Sequence, residues 1–198
     1  IQESKSVKFR EDYHFSFVEY AGNNITHWSF LDSEDPDHPN INVDRLCSKL
    51  FLITDNDGAG FTLKGQPNRA KPKKYERHQK LHKKLGDRYY LLKCREIENL
   101  LKTETIEQVI RSMESKNDEL DFRRFHKADH TDVQLGKFIE EKVIGLKKKY
   151  RYKGADALSR KPEFAKIAVE HIKTIDDLSP EAKKLAEKLY AFISNNNT

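Results

Sequence analysis

Phe51-Leu52-Ile53-Thr54-Asp55-Asn56-Asp57-Gly58 decides how the chain is read. A short apolar, β-favouring run passes straight into two aspartates spaced one apart. Such a run reads as a buried strand with acids at its C-terminal tip. Ligands of open α/β sheets bind at that edge. Side chains at i and i+2 of extended backbone point the same way, so Asp55 and Asp57 can converge on one hard cation such as Mg²⁺.

Other readings of the motif compete. An EF-hand loop needs Gly at its sixth position and Glu at its twelfth, whereas Gly58 stands fourth from Asp55, which excludes it. A phosphatase with an aspartyl nucleophile also places Asp-x-Asp after a strand and stays open. So does a solvated Asp-Asn-Asp-Gly turn with no function.

Moving outward, Tyr13 to Tyr20 (YHFSFVEY) is aromatic and β-forming and is expected to be a strand. Asn24 to Leu31 (NITHWSFL) is expected to be a short helix capped by Asn23 or Asn24. Ser33 to Asn40 is a proline-rich acidic loop. Beyond Asp57 a glycine- and proline-containing loop, 58–72, leads to a basic helix over Lys73–Leu85, closed by Gly86. Arg88 to Lys93 (RYYLLK) is the next strand, and Arg95 to Leu101 opens another helix. Strand, helix, strand, helix at this rhythm implies parallel strands with crossover helices.

The remainder is helical by its periodicity. Ile106/Val109/Ile110/Met113, Phe138/Ile139/Val143/Leu146 and Phe164/Ile167/Ala168/Ile172 form three apolar stripes. Ser179 caps a last helix with Pro180 at its first position and Leu185, Leu189, Phe192 and Ile193 on its inner face.

With 198 residues and 11 Phe and 8 Tyr, the chain can build the core of one domain, or of one domain with a small appendage. No apolar run reaches the roughly 20 residues that span a bilayer, and no signal peptide is visible, so a cytoplasmic protein with no membrane partner is expected. Cys47 and Cys94 read as buried thiols. The chain starts at Ile1 and its one methionine is Met113, from which a piece of a longer protein is expected.

Arg95-Glu96-Ile97-Glu98-Asn99 directly follows the Arg88–Lys93 strand, at the same sheet edge as Asp55. Two acids in a first helical turn suit the helix dipole without any function. The functional reading has one or both join the metal, oriented by Arg95 or Asn99. On an ideal helix Glu96 and Glu98 lie about 200° apart, so both reach one ion only if the segment is not yet regular helix.

Positive charge is concentrated although the net charge is only +5. Eleven Lys/Arg stand against two acids from Lys64 to Lys93, and eight against one from Lys142 to Lys161. Lys71, Lys73, Lys74, Arg77, Lys80, Lys83 and Lys84 in the first run, and Lys147, Lys148, Lys149 and Arg151 in the second, are candidate phosphate contacts. A solvated charged face is the plainer account of either run. Lys161, just before Pro162, sits where its charge opposes the dipole of the helix it begins.

These segments together resemble the C-terminal Toprim nuclease domain of the OLD (overcoming lysogenization defect) family of ATP-dependent endonucleases. The resemblance runs through Phe17-Val18-Glu19-Tyr20-Ala21-Gly22-Asn23-Asn24-Ile25, Leu52-Ile53-Thr54-Asp55-Asn56-Asp57, Leu92-Lys93-Cys94-Arg95-Glu96-Ile97-Glu98-Asn99-Leu100 and Lys161-Pro162-Glu163-Phe164-Ala165. The family's first Toprim motif, a strand ending in Glu-Gly, has no match and is expected upstream of Ile1.

The resemblance implies a Toprim-like (Rossmann-like) α/β core with a parallel sheet flanked by helices over 1–102, and a helical C-terminal part over 103–198 that completes the active site. It implies Asp55, Asp57, Glu96 and Glu98 as ligands of one or two Mg²⁺ or Mn²⁺ ions, with Lys161 stabilising the transition state. The substrate would be nucleic acid, DNA ahead of RNA. ATP would enter only through an N-terminal ABC-type ATPase domain of the same protein, which would also carry homo-oligomerisation. A role in anti-phage defence, with or without a partner protein, or in DNA processing would follow. The segment alone is expected to be weak or inactive. The alternatives are a non-catalytic nucleic-acid-binding or regulatory module and the aspartyl-nucleophile phosphatase.

Overall fold

The computed structural model describes residues 5, 7–18, 28–29, 41–42, 49–56, 72–115 and 117–197, with backbone alone at 28–29, 41–42 and 72–74. The protein is mixed α/β. Strand β1 (Trp28–Ser29) pairs in parallel with β2 (Ile41–Asn42). Strand β3 (Leu52–Thr54) is followed by helix α1 (Pro72–Leu85) and strand β4 (Tyr89–Leu91). β3 and β4 pair in parallel, Leu52 opposite Tyr89 and Thr54 opposite Leu91. The expected strand–helix–strand crossover is therefore present. Gly86 ends α1 at φ +55, a conformation that glycine adopts without a Cβ penalty.

Successive residues of β4 face opposite sides, and this builds the layers. Tyr89 turns its hydroxyl to His78 of α1, while Tyr90 donates to Glu181 in the last helix, α6 (Pro180–Asn195). The parallel pair is thus covered by α1 on one face and α6 on the other. Tyr90, Leu92, Cys94 and Leu185 form the core on the α6 side, with Phe51, Ile53, Leu100 and Leu189 packed around it. Ser179 caps α6 by accepting the Ala182 N–H at 3.2 Å, and Pro180 occupies the first turn, as the sequence predicts.

The larger core lies among α2 (Thr103–Glu114), α3 (Arg123–His126), α4 (Leu135–Lys142) and α5 (Lys161–His171). Ile106, Val109 and Ile110 of α2, Leu135 and Ile139 of α4 and Phe164 of α5 are fully buried there. Each of the three stripes read from the sequence supplies part of this core. Among the described residues, no helix is long and apolar enough to cross a membrane.

Three expectations are corrected. The strand over Tyr13–Tyr20 is not formed at 13–18: Asp12 to His14 is a turn with Asp12 at φ 62, closed by Asp12 N–H to the Phe15 carbonyl at 2.7 Å. Ser16 donates to the Asp12 carboxylate, and this local bonding competes with a ladder. Phe17 and Val18 remain exposed, and Glu19 and Tyr20 lie outside the described residues. Within the expected helix Asn24–Leu31, Trp28–Ser29 is instead strand β1. An isolated helix that short is marginal, and parallel pairing with β2 prevails. The third concerns Arg95–Leu101, which is not an α-helix. Glu96 is extended (φ −128, ψ 159), Ile97–Leu100 is one 3₁₀ turn, and regular helix starts at Thr103. The rest of Asn24–Leu31, the loop Ser33–Asn40 and residues 58–71 lie outside the described residues.

Candidate functional site at the C-terminal edge of the parallel pair

Because β3 and β4 are parallel, their C-terminal tips meet at one edge. The Leu92 N–H donates to the Thr54 carbonyl at 3.0 Å and extends the ladder to the start of both loops. Thr54 Oγ1 lies 3.0 Å from the Tyr89 hydroxyl, which also meets His78 Nδ1. A hydrogen-bonded line thus runs from α1 through β4 to the residue before Asp55. Asp55 is exposed, Asn56 is buried, and Asp57 lies outside the described residues.

Beyond β4 the chain makes a braced turn. Asn99 Oδ1 accepts the Glu96 N–H at 2.9 Å, and the Glu96 side chain accepts the Asn99 N–H in return, a reciprocal cap. The Asn99 amide donates to the carbonyls of His130 and Val133, and the Arg95 N–H donates to Thr131 O at 2.9 Å. The acid-bearing turn is therefore bonded to loop 130–133 of the helical part. Extended Glu96 followed by a 3₁₀ turn is the irregular geometry that lets two acids spaced one apart aim at a common point.

Lys161 occupies that point. Its Nζ lies 3.0 Å and 3.1 Å from the two oxygens of Glu98 and 3.2 Å from Glu96 Oε2. The carboxylate side chains are only 9% and 10% exposed, that of Lys161 41%. Burial works to lower the Lys161 pKa, but Glu98 and then Glu96, by hydrogen bonds and charge, outweigh it and hold it above the ordinary lysine value. The lysine begins α5 from a tense neck. Arg160 is left-handed at φ 54, no side chain caps the helix, and Pro162 fixes its first turn. Two costs accumulate at this position, a left-handed non-glycine residue and a cation at a positive helix end, and the two carboxylates offset them.

Cys94 is buried beside the turn that carries Glu96 and Glu98. Burial pushes its thiol up to about 12; its backbone hydrogen bond works the other way, and the charges of Asp55, Glu181 and Glu98 add to the rise. Cys94 Sγ also lies 3.2 Å from the Glu96 carbonyl. Among the described residues, no three Asp, Glu, His or Cys side chains gather in metal-binding geometry. The donor chemistry nonetheless fits a hard divalent ion. Three carboxylate oxygens surround the Lys161 ammonium, and oxygen donors of this kind are the ones a hard divalent ion takes.

The basic residues divide. On α1, Lys80 and Lys83 are exposed and Arg77 and Lys84 half-buried; the side chains of Lys73 and Lys74, and Lys71 altogether, lie outside the described residues. Lys147, Lys148 and Lys149 are exposed, but the N–H groups of Lys147 and Lys148 hold the buried Glu114 carboxylate at 3.0 Å, and Lys148 Nζ meets the Met113 carbonyl. Arg151 pairs with Glu140 at 2.7 Å and Asp156 at 3.4 Å, so its charge is used within the protein.

Loop 130–133 and Arg160 belong to the site although the sequence reading did not find them. Asn99, already expected to orient the acids, stands three residues after Glu96 at the capping-box spacing. No protein-family model, curated protein or solved structure matches the chain.

Proposed function

We propose that this chain is the Toprim-type nuclease module of an OLD-family ATP-dependent endonuclease, hydrolysing phosphodiester bonds in nucleic acid with Mg²⁺ or Mn²⁺. The observation that carries this reading is the contact of Lys161 with Glu96 and Glu98, just beyond β4, at the C-terminal edge of a parallel strand pair whose other strand leads into Asp55. Three segments far apart in sequence supply these residues.

Asp55, Asp57, Glu96 and Glu98 would hold the ion. Bound there, it would lower the pKa of a water and stabilise the leaving oxygen. Lys161 carries the positive charge that faces the non-bridging phosphate oxygens. Asn99 fixes the backbone of Glu96, and Cys94, kept as a neutral thiol, adds no charge among the acids. The lysines of α1 and Lys147–Lys149 draw in the polyanion. In this reading ATP is handled by an N-terminal ABC-type domain that also brings copies together, and the work is anti-phage defence or DNA processing in the cytoplasm.

The test is cleavage of supercoiled plasmid and of structured RNA by the intact protein in Mg²⁺ or Mn²⁺, beside an Asp55→Asn/Asp57→Asn double variant. Cleavage that disappears in the folded variant supports the reading. Cleavage by both at one rate sinks the assignment of Asp55 and Asp57. Binding of nucleic acid with no cleavage by either protein moves the function to a non-catalytic module, and hydrolysis of small phosphomonoesters alone moves it to a phosphatase.

A further inference from the structure

We propose that Lys161 is the resident cation of the Glu96–Glu98 pair and gives way to a divalent ion, so that the lysine reaches a phosphate only after the carboxylates are loaded. The inference rests on the metal-dependent reading above and adds an order of events to it.

Glu96 and Glu98 contribute two negative charges at a nearly dry position, and Lys161 neutralises one of them from within 3.2 Å. A divalent ion taking the oxygens that now hold the ammonium would put two cations against the same carboxylates. Like charges at such spacing repel strongly in a poorly solvated pocket. Lys161 and a divalent ion are therefore alternative occupants.

The way out is open to the lysine. Its side chain is 41% exposed, and it sits at the first residue of α5, so a rotation of its four-carbon stem moves the ammonium without moving the helix. The acids stay behind, because the Asn99 cap and the links to Thr131, His130 and Val133 brace their turn. The charge of Lys161 opposes the positive end of α5, which favours an outward position of the ammonium once the carboxylates no longer hold it. A lysine freed in this way lies beside the loaded acids, where a phosphate would arrive.

The experiment titrates Mn²⁺ into the full chain and follows binding by calorimetry and by loss of the free-ion paramagnetic resonance signal. It compares the unsubstituted protein, Lys161→Met and the charge-retaining Lys161→Arg. Lys161→Met is expected to bind Mn²⁺ about tenfold more tightly, as removal of one charge-assisted contact at the carboxylates requires, and Lys161→Arg to bind about as the parent does. A second readout needs no substitution. Reductive methylation of the unsubstituted protein, read by peptide mass spectrometry, should label Lys161 severalfold faster with Mn²⁺ than without, while Lys80 and Lys83 are unchanged. If the parent binds Mn²⁺ but Lys161→Met binds no more tightly and the labelling does not change, the exchange is wrong and the metal-dependent reading stands. If neither protein binds Mn²⁺, the metal-dependent reading fails and the exchange fails with it.

Discussion

Asn99 and Glu96 cap one another: Asn99 Oδ1 accepts the Glu96 N–H at 2.9 Å, and the Glu96 carboxylate accepts the Asn99 N–H. The same buried amide spans to His130 and Val133. One side chain therefore sets the backbone of an acid and ties it to another part of the chain. Asn99→Leu keeps the volume and removes all three side-chain bonds, leaving one N–H and two carbonyls without partners. A loss of about 3 kcal/mol is expected, since each buried orphan costs roughly 1–3 kcal/mol. Urea denaturation measures it. A shift below about 0.5 kcal/mol would show that water takes over these bonds and that the turn is not braced as described.

Gly136 lies inside α4, where glycine ordinarily costs about 1 kcal/mol relative to alanine. Gly136→Ala should nevertheless destabilise. A Cβ there would stand 2.5 Å from the Ala157 carbonyl oxygen and 2.7 Å from that of Tyr150. Both are backbone atoms of the crossing segment, held by the Tyr152–Ala157 and Ser159–Tyr150 hydrogen bonds. The expected loss is about 2 kcal/mol or more, the range for a clash in a packed interior. Thermal unfolding decides the sign, and a raised midpoint would mean that the crossing segment yields.

The parallel pair was legible because an apolar run before Asp55 and another before Arg95 flank a basic amphipathic helix, a pattern with few alternatives. Ser179-Pro180 fixed the start of α6 for similar reasons. Tyr13–Phe17 misled because aromatic content measures fitness for a pleated surface, whereas Asp12 offers its own turn bonds first. Arg95–Leu101 was legible as an acidic turn but not as irregular backbone, because Asn99 draws on loop 130–133, some thirty residues on. The meeting of Lys161 with both glutamates was the least legible part. Sequence showed a lysine where a helix dislikes one, and only the tertiary fold shows what holds it there.

Glu114 is a buried carboxylate whose titration should be visible in stability. Burial pushes its pKa up, but the N–H groups of Lys147 and Lys148, the Tyr150 hydroxyl and Asn117 together hold it below the ordinary glutamate value. A lowered folded-state pKa means that the unfolded chain takes the proton first. The contribution is complete above about pH 4.3, the unperturbed value, and is lost as pH falls through the lower folded value. Glu114→Gln should cost about 2 kcal/mol at pH 7 by weakening these bonds. The gap between the two proteins should narrow below about pH 4. A gap independent of pH between 7 and 3 would show that the carboxylate charge contributes nothing.

Cys94 should be inert in the native protein. Its thiol is 2% exposed and pushed up to about 12, so very little thiolate is present at pH 8. In a Cys47→Ser background, a disulfide reagent such as dithiobis-nitrobenzoate should modify Cys94 only as fast as the protein opens. Modification should quicken in step with the unfolded fraction in urea. Fast labelling without denaturant would place the sulfur at the surface and contradict its burial.

The two basic tracts should separate under salt. Lys147 and Lys149 are exposed side chains, whereas Arg151 is engaged by Glu140 at 2.7 Å and Asp156 at 3.4 Å. A cation that contacts a phosphate releases a counterion, and each such contact contributes close to one unit to the slope of log affinity against log salt. Lys147→Glu/Lys149→Glu should therefore weaken binding to duplex DNA and reduce that slope by about 2. Arg151→Ala should leave the slope as it was and change stability little, as an exposed ion pair contributes little. Lys148 is left intact because its ammonium meets the Met113 carbonyl, so its loss would mix folding with binding. Anisotropy titrations between 50 and 200 mM salt, roughly the span over which such contacts lose most of their strength, supply the slopes. Equal slopes in all three proteins would remove this tract from the nucleic-acid interface and leave the lysines of α1 as the surface to test. A reduced slope for Arg151→Ala alone would show that Glu140 and Asp156 release the arginine when the polyanion binds.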